Sequence, residues 1–158
     1  MEFFTIGVYN SSEEEFFNKL IDNNIDIFFD IRKRRGVRGA KYAFVNSKRL
    51  QAKLKELNIN YEHILELAPT SEIRELQKKA DAKNNELKRN RKQLGKIFTI
   101  AYKDKILNKF DFNSLIKKLE NFGAKKVVFF CVEEQPEACH RSIVTDKLKT
   151  FGYKITHL

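Results

Sequence analysis

The sequence contains no tryptophan, only two cysteines, and no apolar run approaching the roughly 18 residues that a membrane-spanning helix requires. Two cysteines in 158 residues exclude a disulfide framework, and because both fall in one short stretch they read as reduced thiols. The opening segment MEFFTIGVYN has neither a basic n-region nor a small-residue cleavage site, so the expectation is a cytoplasmic protein with no membrane partner. Repeats and low-complexity tracts are also lacking, and nothing marks a second domain. The missing tryptophan, beside abundant Lys, Ile, Phe and Asn, fits an AT-rich genome.

What is present is enough for one domain. Apolar residues make up 42% of the chain, fourteen of them Phe, which suffices to fill a core at this length. Lys and Arg outnumber Asp and Glu by 31 to 21, a formal charge of +10 that favours anionic partners without specifying any chemistry.

The pattern alternates strand and helix. FFTIGVY (3–9) reads as a strand, and the segment after it carries a Ser cap, early Glu residues and apolar positions 16, 17, 20 and 21, as a helix would. IDIFFDIR (25–32) is a nearly continuous apolar strand of the kind buried on both faces. A basic loop (33–46), a helix near 47–57 and a strand INYEHI (59–64) follow. Beyond Pro69, Ile73, Ala80, Leu87 and Leu94 recur every seven residues among charges, which predicts a charged helical segment at about 70–94 with a thin apolar seam. That seam would dock the helix over the sheet as a lid or pair it with a second chain in a homodimer; a solvated helix is the plain alternative. Helices near 96–109 and 112–121 precede the strand KKVVFFCVE (125–133), and a last helix spans about 136–151 before KITHL. With no hairpin turns between strands, the expected fold is a single α/β domain with a mainly parallel sheet of about five strands, covered by helices on both faces.

In such sheets ligands sit beyond the carboxyl ends of the strands. Asp30 and Arg32 end the second strand, His63 and Glu66 follow the third, Cys131 and Glu133 end the fourth, and Cys139, His140 and Arg141 open the last helix. At 100° per residue His140 falls on the stripe of Ile143, Val144, Leu148 and Phe151, so it points inward at the rim of the sheet. Pro136 suits a first helical position, which puts Cys139 near the helix N-terminus, where the dipole stabilises a thiolate or a bound anion. Arg141 and Arg32 are bidentate donors for phosphate or carboxylate. The bland alternatives are a core Cys131, a hydrogen-bonded core-edge His140 and a strand-ending Asp30–Arg32 pair. A four-ligand metal set of Cys131, Cys139, His140 and His63 does not match a Cys-x-x-Cys knuckle, so no metal or other cofactor is expected. Nor does the spacing suit a cysteine phosphatase or sulfurtransferase, since Arg141 is ten residues after Cys131 and two after Cys139.

RKRRGVRGAKY (32–42) carries six basic residues and no acidic one; Arg34, Arg35 and Arg38 within it read as an electrostatic funnel, or more plainly as a solvated charge run. Lys78, Lys79, Lys83, Lys88, Arg89, Arg91 and Lys92 extend the basic character along the charged segment.

TIGVYN, DIR at 30–32, YEHILEL at 61–67, CVEEQPEACHRS at 131–142 and the closing THL occur in an order that resembles domain-of-unknown-function family 488 over the whole chain. The resemblance implies a compact α/β domain and places Asn10, Asp30, Arg32, His63, Glu66, Cys131, Glu133, Cys139, His140 and Arg141 on the family's motif positions. It implies no reaction. Tyr9 and Ala68-Pro69 stand where many relatives have His or Ser and a Gly pair, which leaves the backbone less room to approach a ligand there.

Two functions follow as expectations. One is an enzyme acting on a phosphorylated or nucleic-acid-linked substrate, with Cys139, His140, Glu133 and Asp30 as the reacting groups and Arg32, Arg34, Arg35, Arg38, Arg141, Asn10, His63 and Glu66 binding the anion. The other is a non-catalytic nucleic-acid-binding module, its affinity supplied by the basic loop. The partner is a phosphate-bearing small molecule in the first case and nucleic acid in the second.

Overall fold

The computed structural model describes residues 1–87 and 90–158. Its centre is a five-stranded, all-parallel sheet of β1 (Glu2–Ile6), β2 (Ile27–Asp30), β3 (Asn60–His63), β4 (Lys126–Phe130) and β5 (Ile155–His157), in the order β3-β2-β4-β1-β5. Six helices occur among the described residues: α1 (Glu13–Asp22), α2 (Ser47–Glu56), α3 (Ser71–Lys83), α4 (Lys96–Lys105), α5 (Phe112–Phe122) and α6 (His140–Thr150). The α/β architecture expected from the pattern is therefore present. No helix among the described residues is long and apolar enough to cross a membrane.

Strand alternation sorts the apolar side chains into two cores. Phe4, Ile6, Phe28, Val128 and Phe130 face one way and pack with Phe16, Phe17 and Leu20 of α1 and Leu50 and Leu54 of α2. Phe3, Ile27, Phe29, Val127 and Phe129 face the other way, against Ile73 of α3, Phe98 and Tyr102 of α4, Leu115 and Leu119 of α5, and Ile143, Val144 and Leu148 of α6. This division makes a switch point. The helices that follow β1 and β2 lie on one face, whereas α6, which follows β4 between them, lies on the other. Their loops diverge around the carboxyl end of β4, where an open parallel sheet leaves a crevice.

Local signals set most helix ends. Ser12 caps α1 and Glu15 returns the bond to the Ser12 N–H, a complete capping box. Asp111 caps α5, and Gly123 ends it in the left-handed conformation with φ 75°. The charged helix is shorter than its periodicity predicts. Thr70 caps it, but α3 stops at Lys83, and Asn85 turns left-handed at φ 51°. The seam is then divided: Ile73 is in the core, Leu87 is exposed, and Leu94 packs on the core from an irregular strap rather than a helix. The reason lies in the missing apolar residues at 83 and 90, which leave no continuous apolar seam beyond Lys83 to dock a helix against the sheet. Lys88 and Arg89, predicted as part of the basic face, lie outside the described residues.

Candidate functional site

β4 delivers Cys131 to the crevice, and the chain returns through a short turn, Pro136–Ala138, to Cys139. Pro136 therefore opens that turn rather than the long helix, and Cys139, extended at φ −136° and ψ 144°, is the N-cap of α6. His140 is the first residue of α6 and is buried on the same side as Ile143, Val144 and Leu148, whereas Phe151, expected on that stripe, caps the helix end and is exposed.

The two sulfurs and one ring nitrogen meet at a point. Cys139 Sγ is 3.7 Å and Cys131 Sγ 4.0 Å from His140 Nδ1, and the three atoms all lie within 4.8 Å of one another. His140 Nε2 is 3.0 Å from the carbonyl oxygen of Ile31, just past β2. A carbonyl only accepts, so Nε2 carries a proton, and in the neutral ring Nδ1 presents its lone pair to the sulfurs. The Cys131 thiol donates to Glu133 Oε2 at 3.2 Å. Its hydrogen bond to Cys139, together with burial, pushes the Cys131 thiol well above its ordinary range, which favours the protonated form. The Tyr102 ring forms one wall, 5.5 Å from the imidazole between centroids, and its hydroxyl donates to the Leu67 carbonyl at 2.6 Å. Burial pushes that phenol well above its usual range, with both cysteines adding to the effect.

The arginines that the sequence assigns to anion binding have other partners. Arg32 is 3% exposed and grips Asp30 through two bonds of 2.8 and 2.7 Å, donates to the Val45 carbonyl at 3.0 Å, and lies over the Phe130 ring. Arg141 is 1% exposed and donates to the backbone carbonyls of Glu133 and Glu134. Each keeps one buried N–H with no partner among the described residues, Arg32 Nη1 and Arg141 Nε. Asp30 also accepts from Tyr61 at 3.0 Å.

His63 bonds the Arg32 carbonyl at 2.9 Å and stays apart from the cysteines, so the four-ligand set with His63 does not assemble. Glu66 is exposed in the turn Leu65–Leu67. Asn10, left-handed at φ 63°, receives no part of the cluster but ties three loops together. Its N–H donates to the Tyr42 hydroxyl and its side-chain amide to Glu134 Oε2. Arg34, Arg35 and Arg38 are exposed on the loop between β2 and α2, and that loop is pinned to the same edge by Arg32 at Val45 and by Asn46, which accepts from the Val37 N–H.

Two residues matter that sequence reasoning missed. Arg91, read as one charge of a basic face, is 7% exposed; it donates twice to the Ala138 carbonyl, at 3.2 and 2.8 Å, and pairs with Asp81 and Glu133. Nothing in a run of charges distinguishes it. With Leu94 N–H bonded to the Glu137 carbonyl and Gly95 N–H to Gln77, Arg91 straps the chain across the turn that precedes Cys139. Two surface clefts of about 640 and 300 Å³ border this strap, and neither is lined by Cys131, Cys139 or His140. Gly7 is the second: a Cβ there would stand 2.0 Å from the Glu133 carbonyl oxygen and 3.2 Å from Arg141. Its place directly after an apolar strand was the available signal.

The chain belongs to the family described as domain of unknown function DUF488, whose model matches residues 12–148. Searches of the curated proteins and of the solved structures found no match.

Proposed function

We propose that this member of the DUF488 family is an enzyme acting on a phosphorylated or nucleic-acid-linked substrate at the carboxyl edge of its sheet. The observation that carries the reading is the convergence of two thiols, one oriented imidazole and the Glu133 carboxylate, all buried, at the switch point of the sheet. Their burial is offset in part by hydrogen bonds and by the Arg91–Glu133 pair, and clusters of buried titratable groups at a strand-end rim are most often found at functional sites. In this reading His140 and Glu133 hold and move protons, and Cys139, at the N-terminus of α6, meets the substrate beside them. Asp30 and Arg32 hold the floor between β2 and β4. The exposed Arg34, Arg35 and Arg38 draw in the anion, a role left to them because Arg32 and Arg141 already bind internal oxygens.

The exposed arginines also favour a second reading, a nucleic-acid-binding module without catalysis. One experiment separates the two. The protein is incubated with nucleotides, sugar phosphates and short single-stranded RNA and DNA, and products are followed by mass spectrometry beside the C139S and H140Q variants. The enzyme reading expects turnover of a phosphate-bearing compound that falls on the order of 100-fold or more in either variant. Salt-dependent retention of RNA or DNA, with no turnover and no effect of either substitution, overturns it in favour of the module.

A further inference from the structure

We infer that Cys131, Cys139 and His140 bind a thiophilic divalent metal ion such as zinc, leaving a fourth position for water. The inference deepens the proposed function, and rests on it only in treating this centre as the reacting one.

Geometry is the first support. Zinc bonds of about 2.3 Å to sulfur and 2.0–2.1 Å to nitrogen give tetrahedral edges of about 3.6 Å between S and N and about 3.8 Å between two S atoms. The distances from His140 Nδ1, 3.7 Å to Cys139 Sγ and 4.0 Å to Cys131 Sγ, require shifts of a few tenths of an ångström, and the two sulfurs, within 4.8 Å of each other, need to close by at most about 1 Å to reach the S–S edge. The imidazole is already set for ligation. Its Nε2–H is held by the Ile31 carbonyl at 3.0 Å, the outer-shell bond that fixes the tautomer of a metal-bound histidine.

Charge is the second support. Metal uptake expels both thiol protons to solvent, and two thiolates with a dication are neutral, which removes most of the cost of a buried charge. Rigidity is the third. Cys131 is tied by its N–H to the Ile6 carbonyl at 3.3 Å, and Cys139 by its N–H to the Pro136 carbonyl at 3.0 Å, so the ligands arrive from a strand end and a helix cap. This is why the spacing fails as a knuckle: the two thiols are joined by a turn that leaves the sheet and returns. Three protein ligands of the Cys2His type leave one position open, the arrangement of catalytic rather than closed structural sites. Glu133, with Oε2 3.2 Å from Cys131 Sγ, is the carboxylate placed to take a proton from water held there.

The test uses the full chain, reduced, stripped with chelator and titrated anaerobically with cobalt(II). One equivalent should produce an ultraviolet thiolate-to-cobalt charge-transfer band and visible bands of tetrahedral intensity, both abolished by zinc, and zinc should protect both thiols from alkylation. C131S, C139S and H140Q should each weaken cobalt binding at least about tenfold. The inference is overturned if the wild-type protein develops no charge-transfer band, or if a C131S/C139S double variant keeps it. The wild-type titration is decisive even where a variant does not fold. It needs no substrate: turnover without the band removes the metal and leaves the enzyme, while the band without turnover does the reverse.

Discussion

Two sets of arginines stand at one edge of this sheet and behave in opposite ways. Arg32, Arg91 and Arg141 are buried, and their guanidinium groups bind Asp30, Asp81, Glu133 and backbone carbonyls. Arg34, Arg35 and Arg38 sit a few residues from Arg32 and are exposed. The first set organises the protein and the second faces solvent, where a partner would meet it. Residue type and even neighbourhood in the chain do not separate the two, and Arg35 even shares Tyr61 with Asp30; what separates them is whether the guanidinium is buried among its acceptors.

The comparison breaks most readily at Arg32. Replacing it with Met leaves Asp30 charged and buried with the Tyr61 hydroxyl and the backbone N–H of residue 32 but no guanidinium, and should cost about 3–5 kcal/mol, read from urea denaturation. A loss below about 1 kcal/mol would place Arg32 with the exposed set. The seat of Arg141 is tested next by Gly7→Ala, whose Cβ would collide with the Glu133 carbonyl that Arg141 binds. That overpacking should cost about 1–3 kcal/mol, measured in the same way.

The exposed set should respond differently. Changing Arg34, Arg35 and Arg38 together to Gln should alter stability by less than about 0.5 kcal/mol per site. Any binding of single-stranded nucleic acid should weaken alike on all sequences, and its logarithmic salt slope should fall by roughly two units. An unchanged slope would show that this loop makes no phosphate contacts.

The smallest effect lies at the far edge strand. His157 Nδ1 and the Thr5 hydroxyl share a hydrogen bond of 2.7 Å, and partial burial, with Lys149 and Arg141 nearby, lowers the pKa of the ring below the usual 6.5. The fold thus favours the neutral ring. Its contribution is complete above pH 6.5 and disappears as the pH falls through the lowered value. The difference in Tm between wild type and H157Q should accordingly shrink on acidification; a difference that grows would mean the sign is wrong.

Much of the fold was legible because its signals are local. The apolar run ending at Asp30, the Ser12–Glu15 capping box and the inward stripe of His140 with Ile143 and Val144 depend on neighbours within one or two turns. The seven-residue repeat misled beyond Lys83, because periodicity reports which side chains share a face and says nothing of whether that face has a surface to cover. At the site, the inward histidine and the helix-end cysteine could be read directly. The partners of Arg32 and Arg141 could not, and Arg91 was hidden among lysines.

The order of residues determined where strands and helices form, which faces are apolar and which titratable groups arrive at the carboxyl edge. It also set the charge of the loop that hangs over that edge. Only the packed molecule decided which of those groups touch. Contact between Cys131, Cys139 and His140, and the capture of one arginine by a carbonyl while its neighbour stays in water, depend on strand order and on which face each helix takes. Those are properties of surfaces brought together across the whole chain, and no short window of sequence contains them.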